Sequence, residues 1–155
     1  MAIIRSLMKT DMITVKPDDL VTDAARLMSQ DHVGAVLVVE GGALKGILSE
    51  RDVVTRVVAE GKDPATTKVS EVATTEVLDV DVGTHVRKCA ELQFAIGVRH
   101  LPVTENGKPV GILSSRDFLA YVAQGLERVI DELGYEQALR EGEDPYDHIG
   151  GSYGK

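Results

Sequence analysis

The chain repeats itself, because "GILSERD" at residues 46–52 returns as "GILSSRD" at residues 111–117, a step of 65 residues. In this register residues 15–52 align with residues 80–117 without a gap, and 14 of the 38 aligned positions are identical. A fixed internal period constrains the architecture before any single residue can be interpreted. We therefore predict two copies of one folding unit. A unit of roughly 65 residues buries only about 60% of its unfolded surface, so the copies should share one globular body.

The hydrophobic pattern of the first copy predicts its secondary structure. "MITVKP" alternates apolar and polar residues and stops at a proline, which indicates a short strand. "DDLVTDAARLMSQDH" has helical periodicity, with Asp18 or Asp19 as the candidate N-cap. "GAVLVVE" and "ALKGILS" form a hairpin around a Gly41-Gly42 turn, and helical periodicity resumes at Ser49. The second copy repeats this order around an Asn106-Gly107 turn, so we predict an α/β (α+β) fold of two β-α-β-β-α repeats packed as a pseudo-two-fold pair.

The segments outside the aligned register indicate the domain organisation. "EGKDPATTK", between the copies, contains the glycine and proline that are typical of a linker. The last helix should continue past Gly125 and Gly134, because Leu126, Val129 and Leu133 keep its apolar period. "GEDPYDHIGGSYGK" at the end has the composition of a mobile tail. The predicted bounds are 3–60 for the first repeat, 61–68 for the linker, 69–124 for the second repeat, 125–141 for a C-terminal helical extension and 142–155 for a flexible tail.

Charge and apolar content argue against several classes of protein. The chain carries 17 basic and 25 acidic residues, and this net charge of -8 discourages binding to nucleic acid. The longest aliphatic run, residues 35–39, is far shorter than the roughly 20 residues that span a membrane, and "MAIIRSLMKT" lacks a signal-peptide core. Cys89 is the only cysteine, so no internal disulfide can form, and we expect it to be a small buried helix residue. We expect a soluble, cytoplasmic protein without membrane contact.

The repeated heptapeptide can be interpreted as a helix cap. Ser49 and Asp52, like Ser114 and Asp117, stand three residues apart where a strand passes into a helix. This is the spacing of a capping box, in which the serine accepts a hydrogen bond from an unpaired backbone N–H and contributes about 1 kcal/mol. A cap accounts for the serine and the aspartate of each copy but leaves the arginine unexplained.

The heptapeptide can also be interpreted as part of a binding site. A helix N-terminus presents unpaired N–H groups and a partial positive charge, so an arginine in its first turn opposes the usual preference for acidic residues. Arg51 and Arg116 both take that position, which suggests an external anion. The neighbouring carboxylate suits neutral donors such as ribose hydroxyls. A phosphate near the serine and arginine, together with a sugar on the aspartate, would correspond to a bound nucleotide. The helix cap and the binding site are compatible with each other, and the residues alone do not decide between these two interpretations.

With this G-h-h-S-x-R-D motif after a hairpin in both copies, residues 3–124 resemble a tandem pair of cystathionine-beta-synthase (CBS) domains, the Bateman module. The resemblance covers nearly the whole chain, and the duplicated motif makes it specific. It implies clefts between the repeats that bind an adenosyl ligand: AMP, ADP, ATP, NAD or S-adenosylmethionine. It also implies a homodimer formed through helical faces, here residues 53–58 and 118–133, and a regulated partner protein outside this chain.

The resemblance assigns candidate nucleotide-binding residues. The family's ribose-binding aspartate falls on Asp52 and Asp117, and its serine or threonine falls on Ser49 and Ser114. Its backbone contacts to adenine fall on the segments that enter the first strand of each copy. The predicted set is Met12, Ile13, Thr14, Gly34, Ala35, Ser49, Arg51, Asp52, Glu76, Val77, Asp79, Arg99, His100, Leu101, Pro102, Ser114, Arg116 and Asp117.

The copies differ where the second strand begins. "VRHLPV" places Arg99 and His100 where related proteins carry basic residues that contact phosphate, whereas "VGAVLV" has Gly34 and Ala35. Because the second copy has two basic residues where the first copy has two small neutral ones, we predict that the two ligand pockets are unequal. Our hypothesis is that phosphate binding depends on the two cations, while the small residues leave room for adenine or ribose. The alternative is that both cations are solvated at a strand edge.

Catalysis is not expected, because the sequence has no G-x-x-x-x-G-K-[ST] loop and no recognisable nucleophile with its base. His32, His85 and His148 lack metal-ligand spacing, so we predict neither a metal site nor a catalytic cofactor. The predicted function is a regulatory module that senses an adenosyl ligand and relays its occupancy to a partner. The alternative is a nucleotide-independent adaptor that binds a protein through its helical faces and its acidic C-terminal extension.

Overall fold

A computed structural model of the chain describes residues 3–141, and it contains the predicted order of strand, helix, strand, strand, helix twice. The first repeat comprises β1 (Thr14–Val15), α1 (Val21–Gln30), β2 (Ala35–Glu40), β3 (Ala43–Ser49) and α2 (Glu50–Val53), which continues as a π-helical segment (Val54–Val58). The second comprises α3 (Val69–Val72), β4 (Val80–Asp81), α4 (Val86–Ile96), β5 (His100–Glu105), β6 (Lys108–Ser114) and α5 (Ser115–Glu141). A 3-10 helix (Ile4–Ser6) precedes β1. The chain divides into two compact units, Met1–Asp117 and Phe118–Lys155.

Each repeat forms a three-stranded sheet of the same topology, in the order β1-β2-β3 and β4-β5-β6. The first two strands of each sheet are parallel, and the last two form an antiparallel hairpin. Both hairpins turn through two residues of positive φ, Gly41-Gly42 and Asn106-Gly107, as the sequence predicts for tight turns of this kind. Both hairpins also shift register at the same place, after Val38 and after Val103. The mixed fold and its internal symmetry are thus confirmed.

The two repeats exchange the segments that precede their first strands. Ile4 is buried in the core of the second repeat, whereas Val69 and Val72 of α3 are buried in the core of the first. Backbone bridges hold the exchange, because Lys9 pairs with Ile112 of β6. Thr74 pairs with Ile47 of β3 in the same way. Neither repeat therefore has a complete core without residues from the other.

These bridges explain the glycine that opens each heptapeptide. A Cβ atom on Gly46 would lie 2.9 Å from the carbonyl oxygen of Thr74, and one on Gly111 would lie 2.9 Å from that of Lys9. Both oxygens belong to backbone that is held by a pair of hydrogen bonds, so neither can retreat cheaply. Glycine is required here by the close approach of two backbones.

The helices follow the predicted periods with one local difference. Leu20 is the N-cap of α1, not Asp18 or Asp19, because the Asp19 carboxylate instead accepts a hydrogen bond from the Lys16 amide at 2.7 Å. Cys89 is buried on α4 as expected, and burial raises the pKa of its thiol.

Helix α5 continues through Gly125 and Gly134, as predicted. The predicted flexible tail, residues 142–155, lies outside the described residues. Within residues 3–141, no helix combines the length and apolar character needed to cross a membrane.

Candidate functional site

A cavity of about 660 Å³ lies between the two repeats. Its lining includes half of the predicted nucleotide-binding residues, drawn from both copies: Met12, Ile13, Gly34, Ala35, Arg99, His100, Ser114, Arg116 and Asp117. The structure adds residues that sequence reasoning missed: Lys9, Asp11, Met28, Ser29, His32, Val33, Leu37, Glu50, Ile112 and Ser115. The cavity thus combines the entry segment and second strand of the first repeat with the heptapeptide of the second.

The exchanged N-terminal segment explains why these elements meet. The bridge between Lys9 and Ile112 lays the segment that enters β1 along the outer edge of β6. The chain then passes through Met12 and Ile13 into β1, and β6 ends at Ser114, so both reach the same cavity. Local sequence patterns carry no information about this contact, because its two sides are about a hundred residues apart in the chain.

Asp117 combines the cap and the site. Its backbone N–H donates to Ser114 Oγ at 3.2 Å, and its carboxylate accepts from the Ser114 backbone N–H at 3.1 Å, which confirms the predicted capping box. Its other oxygen, Oδ1, lies 3.2 Å from Lys9 Nζ. Burial by itself raises the pKa of Asp117, but the hydrogen bonds from Ser114 and the charge of Lys9 outweigh it and hold the pKa below the usual range. The carboxylate therefore faces the cavity as an anionic hydrogen-bond acceptor.

The charged side chains of the lining are balanced. Lys9, Arg99 and Arg116 are cationic, and the three acidic residues of the lining are Asp11, Glu50 and Asp117. The cations gather around the second repeat's heptapeptide and the start of its second strand, where we predicted contacts to phosphate. The apolar residues of the lining are Met12, Ile13, Met28, Val33, Ala35, Leu37 and Ile112, and all of them except Ile112 belong to the first repeat.

His100 is partly buried beside Gly34. Burial lowers its pKa below the ordinary value of 6.5, and the charge of Arg99 lowers the pKa further, while Glu50 and Asp117 oppose this only in part. The imidazole is therefore neutral at neutral pH. An anionic ligand beside the ring would favour its protonated form.

This pKa shift predicts a pH-dependent stability. Because the folded chain binds the His100 proton less tightly than the unfolded chain does, the free energy of unfolding should fall as the pH drops through 6.5. The decline due to this group should end below its folded-state pKa. His100→Gln should lack this contribution in urea denaturation between pH 8 and pH 5. If the free energy of unfolding changes with pH in the same way for the native chain and for His100→Gln, the predicted contribution of His100 is wrong.

The structure corrects the idea that Gly34-Ala35 and Arg99-His100 belong to different pockets. Both pairs line the same cavity, and a Cβ atom on Gly34 would lie 3.2 Å from the His100 ring. The pseudo-two-fold relation brings equivalent positions of the two repeats face to face, so small residues on one side leave room for large ones on the other.

Half of the predicted residues lie outside this lining: Thr14, Ser49, Arg51, Asp52, Glu76, Val77, Asp79, Leu101 and Pro102. Leu101 and Pro102 are fully buried, because β5 is the central strand of its sheet and residues 101–104 are all buried. The Asp79 carboxylate accepts a hydrogen bond from the Thr104 hydroxyl at 2.7 Å. Ser49 and Asp52 form the second capping box, as predicted.

His32 is a lining residue that the sequence could have revealed. It follows α1 with a left-handed backbone, φ 53°, at the position equivalent to Gly97, where φ is 72°. Left-handed φ is uncommon for residues other than glycine, although histidine is among those that adopt it more often. The 65-residue register aligns His32 with Gly97, a glycine that ends a helix. This alignment was the signal in the sequence that His32 has a left-handed backbone at the end of α1.

Three comparisons with known proteins agree with this architecture. The family model described as "CBS domain" matches twice, over residues 4–59 and 69–124. The CBS domain-containing protein YhcV of Bacillus subtilis is 37% identical over 117 residues, which are 76% of this chain and 83% of YhcV. The crystal structure of the CBS domain NE2398 superposes with a TM-score of 0.76 at 33% identity, over 79% of this chain and 99% of that one. CBSX2, solved in complex with AMP, has the same fold, with a TM-score of 0.70 at 23% identity over 80% of this chain and 98% of CBSX2.

Proposed function

The chain belongs to the CBS-domain family, and we propose that it is a regulatory module that binds an adenosine nucleotide in the cavity between its repeats. The observation that carries the proposal is that Asp117, Arg99 and Arg116 line one cavity whose apolar residues come mostly from the first repeat. An anionic acceptor suits ribose hydroxyls, clustered cations suit phosphate, and apolar surface suits a purine.

The size of the cavity supports this assignment. Small-molecule sites in proteins commonly enclose roughly 300 to 1,000 Å³ and combine apolar walls with a few polar groups. The cavity here, at about 660 Å³, lies within that range and has the same composition.

The elements of the cavity suggest an orientation for the ligand. We place the adenine between the backbone of Met12 and Ile13 and the apolar walls of the first repeat. The ribose hydroxyls would donate to the Asp117 carboxylate, in place of Lys9. Phosphate would lie toward Arg99, His100 and Arg116. CBSX2 demonstrates that a protein of this fold can bind AMP, and the same ligand is our first choice for this chain.

Regulation requires that the ligand stabilise one arrangement of the protein over another. The cavity suits this role, because its lining comes from both repeats and a bound ligand would link them. We further propose that the module forms a homodimer and relays ligand occupancy to a separate protein. Exposed apolar side chains that could form such contacts occur at Val54, Val58, Leu126, Ile130 and Leu133.

A ligand panel tests this function. Adenosine, AMP, ADP, ATP, NAD and S-adenosylmethionine would each be added to the native chain, and the midpoint of thermal unfolding would be measured. A ligand present at 100 times its dissociation constant should add about 2.7 kcal/mol of stability. GMP is the matched control, because it changes the base and keeps the ribose and the phosphate.

A stabilisation by AMP that exceeds that by GMP would support the proposal. If none of the six adenosyl ligands shifts unfolding, the function is wrong, and a nucleotide-independent adaptor becomes the better account.

A further inference from the structure

One carboxylate of the cavity has no counterpart in the second repeat. Glu50 occupies the single heptapeptide position that differs between the copies, and Ser115 is its equivalent. The backbone places the two residues alike, because the Glu50 amide donates to the Gly34 carbonyl and the Ser115 amide donates to the Arg99 carbonyl, both at 2.9 Å. Both residues line the cavity, so the pseudo-symmetric positions differ in charge while their backbone setting is the same.

The Glu50 carboxylate faces a cation of the other repeat. Its Oε1 atom lies 3.7 Å from Arg99 Nη2, and the two side chains are 63% and 50% exposed. An ion pair this exposed is weak, so another anion can replace Glu50 beside Arg99. Gly34 lies beside this pair, since a Cβ atom built there would lie 3.4 Å from Glu50 Oε1. Arg99, which the proposed function assigns to phosphate, is thus paired within the chain.

The charge of the lining makes this pairing consequential. Glu50 is one of three acidic residues that balance the three cations Lys9, Arg99 and Arg116. Asp117 is held by its own cap and by Lys9, whereas Glu50 has no hydrogen bond to its carboxylate among those described for residues 3–141. A phosphate that approaches Arg99 must therefore displace Glu50 or accept its repulsion.

Building on the proposed function, we propose that Glu50 is a specificity-determining residue: it competes with ligand phosphate for Arg99 and so disfavours nucleotides that carry more phosphate groups. Each added phosphate brings further negative charge within a Debye length, about 8 to 10 Å, of the carboxylate. The repulsion therefore grows from AMP to ATP and is absent for adenosine. The cavity should favour a nucleoside monophosphate over the triphosphate.

Glu50→Gln tests this role, because it keeps the shape of the side chain and removes its charge. Calorimetry at one ionic strength would compare adenosine, AMP and ATP. We expect the affinity for ATP to rise about tenfold and that for AMP about threefold, while that for adenosine stays unchanged. Glu60→Gln is the control, since it also removes one negative charge from the chain but at an exposed position outside the cavity lining.

A double-mutant cycle separates competition for Arg99 from a general effect of charge. In an Arg99→Gln background, Glu50→Gln should raise the affinity for ATP by much less than it does in the native chain. An equal rise in both backgrounds would overturn the proposed competition. An unchanged ratio of ATP affinity to AMP affinity in Glu50→Gln would overturn the role in specificity.

Failure of this inference can be distinguished from failure of the proposed function. If none of the six adenosyl ligands binds to the native chain, the proposed function is refuted. Tripolyphosphate then tests Glu50 alone: tighter binding to Glu50→Gln than to Glu60→Gln would support the competition, and equal binding would overturn it.

Discussion

Asp117→Asn is expected to weaken AMP binding about 100-fold, whereas Asp52→Asn at the equivalent position should leave binding in this cavity within about threefold of the native value. Two hydrogen bonds from ribose hydroxyls to an ionised carboxylate account for a loss of this size, because bonds to charged groups contribute about 1.5 to 3 kcal/mol each. The Asp117 side chain is only 15% exposed, so few alternative partners can replace it. Isothermal titration calorimetry would measure both affinities.

Asp52→Asn is a matched control because both aspartates have the same structural role. Each accepts from the backbone N–H of the serine that caps its helix, at 2.9 Å for Asp52 and 3.1 Å for Asp117. Each also lies near one cation, Arg56 or Lys9. Both variants should therefore lose a similar, small amount of folding stability. Equal loss of AMP affinity in the two variants would show that the ligand does not depend on the cavity that Asp117 lines.

Gly111→Ala is expected to lower the free energy of unfolding by about 2 to 4 kcal/mol. A Cβ atom at this position would lie 2.7 Å from Met8 Sδ and 2.9 Å from the Lys9 carbonyl oxygen. The methionine side chain can move, but the carbonyl accepts a hydrogen bond from the Ile112 amide. The N-terminal segment must therefore shift, which loosens the buried Ile4 and breaks the backbone bridge. Urea denaturation followed by circular dichroism would measure the change.

Gly125→Ala is the same substitution at another position, and there we expect the free energy of unfolding to rise. No atom lies within 4 Å of a Cβ atom built at Gly125, and its backbone is helical, so alanine should stabilise the chain by up to about 1 kcal/mol. Gly46→Ala should resemble Gly111→Ala, because its Cβ atom would meet the Thr74 carbonyl in the other exchanged bridge. A Gly111→Ala variant as stable as the native chain would mean that the N-terminal segment does not lie against β6.

Gly111→Ala should also affect the ligand. Lys9 lines the cavity and is held there by the same backbone bridge that the substitution disrupts. We therefore expect weaker AMP binding in this variant even under conditions where it remains folded. This connects the glycine of the heptapeptide to the site through packing, and not through a contact with the ligand.

The order of strands and helices could be predicted from the sequence alone. A 65-residue step and two hydrophobic periods were sufficient for the order of strands and helices, the two hairpin turns and both capping boxes. These features depend on residues that are close in the chain, such as Ser114 and Asp117 or Gly41 and Gly42. Their patterns are visible without knowledge of the tertiary structure. The position of Arg116 at a helix N-terminus indicated an anion site, and the family resemblance assigned Ser114 and Asp117 to the ligand; all three line the cavity.

The parts of the two copies that share one cavity became apparent only in the folded chain. The sequence treated Gly34 and Arg99 as features of separate pockets, because they occupy equivalent positions in an alignment. In the folded chain these positions face each other, and the exchange of the segments around Ile4 and α3 adds Lys9 to the same site. The physical reason is that a repeat pattern specifies each copy's local structure and buried face, whereas contacts between copies depend on how those faces pack. Glu50 and Arg99 therefore became a pair only in three dimensions.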